Sequence, residues 1–179
     1  MIFLKFFKRI FVLPYMMRDA AVEFKKNNYR LAIDIYSDVI RLFPEHYDAH
    51  LWAGTAYSAI ELNNEAVDCY KKALEINSKG FDAYYNYSQL ELKQNRFKTS
   101  LELLLKAIEF YPYSAESHSN LYYQKGMLEY YLFKYHDALE SFNKSLEILP
   151  ENKYAENGRT LAAESILSAN KVMLNTLKN

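Results

Sequence analysis

The chain is predicted to be all-α, an α-solenoid of about four stacked helix-turn-helix repeats followed by a C-terminal capping helix. Three observations predict this. Only 4 Gly and 4 Pro occur in 179 residues, too few for the many turns of an all-β fold. Half the residues are apolar and a quarter charged, which is ordinary globular composition. Above all, the body of the chain repeats itself, and internal repeats decide the fold before any single element does.

The repeats are seen by aligning the segments that end at Pro44, Ser78, Pro112 and Pro150, spaced 34, 34 and 38 residues apart. Twelve residues earlier stand Ala32, Ala66, Ser100 and Ala138; eight earlier, Tyr36, Tyr70, Leu104 and Phe142; five earlier, Val39, Ala73, Ala107 and Ser145. Small, large and small residues four and three apart line one stripe of a helix. The small ones let helices approach, and the large one fills the gap. A second set of small residues, Ala20, Gly54, Ser88 and Gly126, marks an upstream helix in each segment. Polar pairs are the expected turns between the two helices: Asn27-Asn28, Asn63-Asn64, Gln94-Asn95-Arg96 and the weaker Phe133-Lys134. The prolines end the second helices, since proline cannot continue one. A lone hairpin cannot bury its apolar face, but stacked hairpins can.

The elements follow in order. Residues 1–14 form a basic apolar leader, MIFLKFFKRIFVLP. Residues 1–18 carry Lys5, Lys8, Arg9 and Arg18 and no acid. The longest uncharged run, Ile10 to Met17, falls far short of the roughly 20 residues of a membrane span. The interrupted apolar stretch and the lack of a small-residue cleavage site make a poor signal peptide. On a helix, Lys5, Lys8 and Arg9 oppose Phe3, Phe6, Phe7 and Ile10. Such a pattern suits a membrane surface, although the simpler reading is that these aromatics pack on the first helix pair of the domain. Repeats are placed at about 15–46, 47–80, 81–114 and 115–152. The 38-residue interval is read as one extra helical turn, Ser114 to Ser117, ahead of the fourth repeat. Residues 153–179 are the capping helix and tail. Leu161, Ile166, Leu167 and Met173 are expected to face inward there, and Asn157, Arg159, Glu164, Ser165, Ser168 and Lys171 outward.

Gly54, Tyr57, Ala66, Tyr70 and Ala73 in the second segment resemble the tetratricopeptide-repeat pattern. So do Ala20, Tyr29, Ala32, Tyr36 and Pro44 in the first, Ser88, Phe97, Ala107 and Pro112 in the third, and Gly126, Tyr135, Ala138, Phe142 and Pro150 in the fourth. Trp52 is displaced from the family's tryptophan site, and Asn63 stands where an aromatic is usual. The resemblance implies a right-handed solenoid that binds a protein or peptide segment in its concave groove, with no cofactor and no catalytic residues. It assigns the groove to first-helix residues: Phe24; Leu51, Trp52 and Thr55; Tyr85, Asn86 and Gln89; and Tyr123, Gln124, Met127 and Tyr130. Chaperone-binding relatives hold a carboxylate with Lys, Arg and Asn on three first helices, as a carboxylate requires. Here Leu51, Thr55, Asn120 and Gln124 surround Asn86 at those sites, and the register one repeat earlier offers Met17, Ala21, Trp52, Asp82 and Asn86, so a heat-shock chaperone tail is disfavoured.

Other chemistry is sparse. His46 and His50 are four apart, but with no acidic or cysteine cluster they read as surface histidines rather than metal ligands. His118 and His136 fall on different helices. Cys69 excludes an internal disulfide framework and reads as a small packing residue. Four glycines leave no phosphate loop. Zero formal net charge argues against a nucleic-acid surface. The expected protein is a non-enzymatic, cytoplasmic interaction scaffold. The alternative is a tethering or assembly factor held at a membrane surface by residues 1–17.

Overall fold

The computed structural model describes residues 11–111 and 114–176. The leader readings for residues 1–10, and Pro112 as the stop of the third repeat, lie outside the described residues. Nine helices and no strand occur among the described residues: α1 Leu13–Lys25, α2 Tyr29–Leu42, α3 Tyr47–Ala59, α4 Asn63–Ile76, α5 Phe81–Lys93, α6 Phe97–Glu109, α7 Ala115–Tyr131, α8 Tyr135–Ile148 and α9 Lys153–Thr176. The chain divides into two compact units, one ending at Leu90 and the other beginning at Glu91.

Each hairpin turns by the same device. Asn27, Glu61, Asn95 and Phe133 hold φ of 63°, 63°, 58° and 60°. The next residue's N–H then returns to a carbonyl five residues back: Asn28 to Glu23 at 2.9 Å, Leu62 to Tyr57 at 3.0 Å, Arg96 to Glu91 at 2.9 Å and Lys134 to Glu129 at 2.9 Å. This is a left-handed helix stop that satisfies otherwise orphaned carbonyls. Asparagine tolerates that conformation; Glu61 and Phe133 adopt it at some strain. One expectation is corrected here. The second turn is Ile60 to Leu62, and Asn63-Asn64 already belongs to α4, because the repeated backbone bond, not local polarity, sets where the helix stops.

In the unit ending at Leu90, the predicted stripes are the core. Ala20, Ala32, Tyr36 and Ala53 form one cluster, Leu13, Val39 and Ala49 a second, and Leu51, Ala66, Tyr70, Ala73, Ala83 and Leu90 a third. Gly54 is small because Tyr70 passes there: a Cβ on it would lie 2.9 Å from the ring. The turn into α3 is locked by both nearby histidines. His46 Nδ1 accepts the Ala49 N–H at 3.1 Å, an N-terminal cap. His50 Nε2 meets the Pro44 carbonyl at 2.8 Å. His50 is buried, so the expectation of a surface histidine fails there, since its partner is a backbone group inside the turn.

In the unit beginning at Glu91, α7 has 17 residues where α1, α3 and α5 have 13. Its packing against α8 is partly polar. Buried Ser119 and Ser145 each donate to the other's carbonyl, at 2.9 and 2.8 Å. Asn152 Nδ2 donates to both hydroxyls, at 3.0 and 3.2 Å, and its Oδ1 accepts from Ala155 N. Buried hydroxyls and amides of this kind require such complete pairing.

The last helix corrects a second expectation. Its buried face is Ala155, Gly158 and Ala162, not the larger apolar residues. Small residues are needed because Phe142 lies against them; a Cβ on Gly158 would come within 2.5 Å of that ring. Ile166 is half-buried, while Leu161, Leu167 and Met173 are exposed.

Candidate functional site

The first helices carry the assigned surface. In the unit ending at Leu90, Trp52 is 41 % exposed and meets Phe24 edge to face, ring centroids 6.2 Å apart. Phe24 in turn lies edge to face with Tyr29 at 5.2 Å. Edge-to-face pairs place the positive rim of one ring on the negative face of another. Thr55 is the polar hub beside them. Its hydroxyl donates to the Leu51 carbonyl at 3.0 Å and accepts from Asn86 Nδ2 at 3.2 Å. The Tyr70 hydroxyl approaches it at 3.4 Å. So α3 and α5 are joined through an amide and a hydroxyl. Tyr85 stacks on Phe81 at 5.7 Å, and Gln89 Nε2 reaches the Ser88 hydroxyl at 3.5 Å. Tyr85, Asn86 and Gln89 are all half-buried.

Leu51 does not belong with these residues. It is 2 % exposed and packs in the Tyr70 cluster. Four residues apart, Leu51 and Thr55 share one side of α3, but Tyr70, Ala83 and Leu90 cover Leu51 while Thr55 stays half-buried.

In the unit beginning at Glu91, the α7 residues have a double role. Tyr123, Met127 and Tyr130 are half-buried against Ala138, Phe142 and Ala162. Tyr123 lies between the rings of Phe142 and Tyr154, at 6.0 and 5.9 Å. The hydroxyls of Tyr130 and Ser165 are 3.2 Å apart. Gln124 is half-buried. These side chains support the α7–α8–α9 packing as well as presenting their outer edges.

A set of acids was missed by the sequence reading. Glu23, Glu91 and Glu129 occupy the same place in three repeats, three residues after Ala20, Ser88 and Gly126; Tyr57 takes it in the second. Glu91 and Glu129 are buried. Arg96 Nε lies 2.9 Å from Glu91, and Lys125 Nζ 2.9 Å from Glu129. Glu23 accepts from Asn28 and Lys26, which hold its carboxyl below the usual range. The readable signal was an acid at fixed spacing from the small residue, with a cation three to five residues on or four before.

No catalytic constellation stands out among the described residues. Burial pushes the Cys69 thiol up to about 11, with help from Asp68 and Glu65, so it is a neutral packing group rather than a thiolate nucleophile. No group of three or more metal-ligating side chains occurs among the described residues.

The repeat geometry has its counterpart in known proteins. Residues 20–78 and 53–115 match one tetratricopeptide-repeat profile, and residues 119–152 match another. The chain belongs to the tetratricopeptide-repeat family. Its fold is similar to a crystal structure of MamA protein, with a TM-score of 0.77 and 21 % identity, covering 93 % of this chain and 88 % of that one. PilF of Pseudomonas aeruginosa matches with a TM-score of 0.71 and 19 % identity over 89 % of this chain and 69 % of its own. A tetratricopeptide-repeat protein of Parabacteroides merdae ATCC 43184 gives 0.77 and 19 %, over 88 % and 61 %. In sequence, the chain is 29 % identical over 119 residues to the UDP-N-acetylglucosamine–peptide N-acetylglucosaminyltransferase of Giardia intestinalis (strain ATCC 50803 / WB clone C6). That match takes in 66 % of this chain but only 8 % of the enzyme. As a tetratricopeptide-repeat protein, the chain is a protein-interaction scaffold.

Proposed function

We propose that the first-helix face bearing Phe24, Trp52, Thr55, Tyr85, Asn86 and Gln89 binds an extended peptide segment of a protein partner. In the unit beginning at Glu91, the α7 face with Tyr123, Gln124, Met127 and Tyr130 is a candidate peptide-binding face in its own right. The observation that carries the reading is the exposed Trp52 ring braced edge to face by Phe24. A pre-oriented aromatic beside amides is the composition of binding hot spots. A carboxylate-terminated tail fits poorly, because Asn86 already donates to Thr55 and no assigned residue supplies a cation.

The test starts with peptides selected from a random display library on the wild-type chain. Trp52→Ala is expected to weaken the selected peptides at least tenfold, about 1.4 kcal/mol or more, with an unchanged thermal melt. Tryptophan fluorescence should shift on titration, because Trp52 is the one tryptophan. Binding should change little between low and high salt, since no exposed ion pair is made. Selected peptides that bind the variant equally well would remove this face from the reading.

A second reading attaches the chain to a membrane surface through its N-terminal segment. Phe11 and Tyr15 are exposed, and the Arg18 guanidinium sits 4.6 Å from the Tyr15 ring centre. Aromatic and cationic groups together suit the headgroup layer. No described helix is long and apolar enough to cross a membrane. Leu13, Met16 and Met17 pack with Val39 and Ala49, so the informative truncation removes residues 1–10 and spares that cluster. The full chain is expected to float with vesicles containing anionic lipid, and the truncated chain to stay behind. Equal flotation of the two would reject the leader as the attachment.

A further inference from the structure

The second half of α9 does something none of the first helices of the four repeats does. Those helices stop at Asn27, Glu61, Asn95 and Phe133, spaced 34, 34 and 38 residues apart. Counting 34 more residues from Phe133 reaches Leu167, where α9 does not turn but continues to Thr176. This continuation is apolar and uncovered: Leu167, Met173 and Leu174 are 69 %, 63 % and 58 % exposed. A run of large exposed apolar residues of this kind marks an interaction surface.

The pattern of the stretch says what fits it. Ala163, Leu167, Asn170 and Leu174 are spaced four, three and four residues apart, a heptad seam. Ile166 and Met173 flank it on one side. Glu164 and Lys171 flank it on the other, and they are the only charged residues from 160 to 176. These two charges are seven residues apart and of opposite sign. When a second copy of the same helix is laid antiparallel along this seam, each Glu164 faces the second copy's Lys171 and each Lys171 faces the second copy's Glu164. The same register sets small Ala163 opposite the second copy's Leu174, so large and small side chains interdigitate. It also sets Leu167 beside the second copy's Asn170, a polar seam residue of the kind that fixes orientation at some cost in stability.

We propose that the chain self-associates through residues 163–174 of α9, forming an antiparallel, two-fold symmetric helix pair. The interface is isologous, as a two-fold pair requires. The first part of α9, with Ala155, Gly158 and Ala162 against Phe142, stays with its own unit. Because the helices run in opposite directions, the two bodies lie at opposite ends of the pair. The seam is short, about 18 Å at 1.5 Å per residue. It therefore makes a weak, concentration-dependent dimer rather than an obligate one.

Sedimentation equilibrium of the full chain from a few to several hundred micromolar tests this. Wild type is expected to pass from monomer to dimer mass over that range, and less readily in high salt. Leu167→Glu should weaken the dimer at least tenfold while leaving the thermal melt of the monomer unchanged, since Leu167 is exposed. Glu164→Lys and Lys171→Glu should each weaken it at least threefold by setting like charges face to face. The double variant should return to the wild-type value, and an equimolar mixture of the two single variants should dimerise better than either alone. Monomer mass at every concentration overturns the proposal. So does a dimer indifferent to Leu167→Glu, and so does a double variant as weak as the singles.

Discussion

Phe142→Ala will lower the stability of the unit beginning at Glu91 by about 3–5 kcal/mol, the range for removing a fully buried aromatic. The ring is 0 % exposed and wedged between two helices. Cβ atoms placed on Gly126 of α7 and Gly158 of α9 would come within 2.7 and 2.5 Å of it. Ala138 and Ala162 pack with it, and the half-buried Tyr123, Met127, Tyr130 and Leu139 complete the surround. Removing the ring therefore empties a space walled on two sides by helix backbone at Gly126 and Gly158, which cannot move in to refill it. Urea unfolding followed by far-ultraviolet circular dichroism gives the loss. A second variant separates this account from a general core effect. Gly158→Ala should destabilise the wild type, because the new methyl meets the ring. In the Phe142→Ala background the same change should be neutral or stabilising, because glycine inside a helix costs roughly 1 kcal/mol relative to alanine. If Gly158→Ala had the same sign and size in both backgrounds, Phe142 would not be the reason for the glycine.

The ring at position 142 was readable from sequence alone. Ala138, Phe142 and Ser145 repeat the small-large-small stripe of Ala32, Tyr36 and Val39, and the large members Tyr36, Tyr70, Leu104 and Phe142 are all within 1 % of complete burial. Periodicity reports which side of a helix is apolar, and where neighbours of equal length cover that side, phase and burial coincide. It does not report how far along the helix the cover extends. That is why Leu167 and Met173 of α9 were expected inside and stand outside, while Gly158 and Ala162 do the packing. Nor does it distinguish a groove wall from a hairpin interior a fraction of a turn away, which is the error at Leu51. Polar residues were harder still. His50 and Glu129 look like surface residues in the sequence, and both are buried because a specific partner meets them: the Pro44 carbonyl for His50, and Lys125 with Ser141 for Glu129. Of these partners only Ser141 comes from another helix; the Pro44 carbonyl and Lys125 are near in sequence, but a backbone acceptor and a common i, i+4 pair do not by themselves signal burial. The turns failed for a related reason. Asn63-Asn64 looks like a turn, but the left-handed residue is Glu61, held by the backbone bond from Leu62 to Tyr57.

Lys125→Met will destabilise the same unit by about 3 kcal/mol, because it strands a buried carboxylate. The Glu129 side chain is 7 % exposed and its Oε1 lies 2.9 Å from Lys125 Nζ. Its Oε2 accepts a 2.5 Å hydrogen bond from the Ser141 hydroxyl, which itself accepts from Lys125 Nζ at 2.7 Å. The three groups close a small ring between α7 and α8. Methionine keeps the apolar stem that Lys125 packs along the helix but removes the cation and both of its hydrogen bonds. Breaking a buried pair from one side costs about 3–5 kcal/mol, since the remaining charge is uncompensated. The lower end applies because the Lys125 side chain is 22 % exposed, so some water reaches the site. At roughly 2–4 °C per kcal/mol for a chain of this length, the melting midpoint should fall by about 6–12 °C. Adding Glu129→Gln to Lys125→Met should restore most of the loss. The amide can still accept from Ser141, and no buried charge remains to be paired. Replacement of both ionic partners by neutral groups is often nearly free, whereas loss of one is not. The double variant is thus expected to be more stable than Lys125→Met alone, a positive coupling that a merely steric role of Lys125 would not produce. A loss below about 1 kcal/mol for Lys125→Met, or a double variant no better than the single, would mean that solvent rather than Lys125 compensates Glu129.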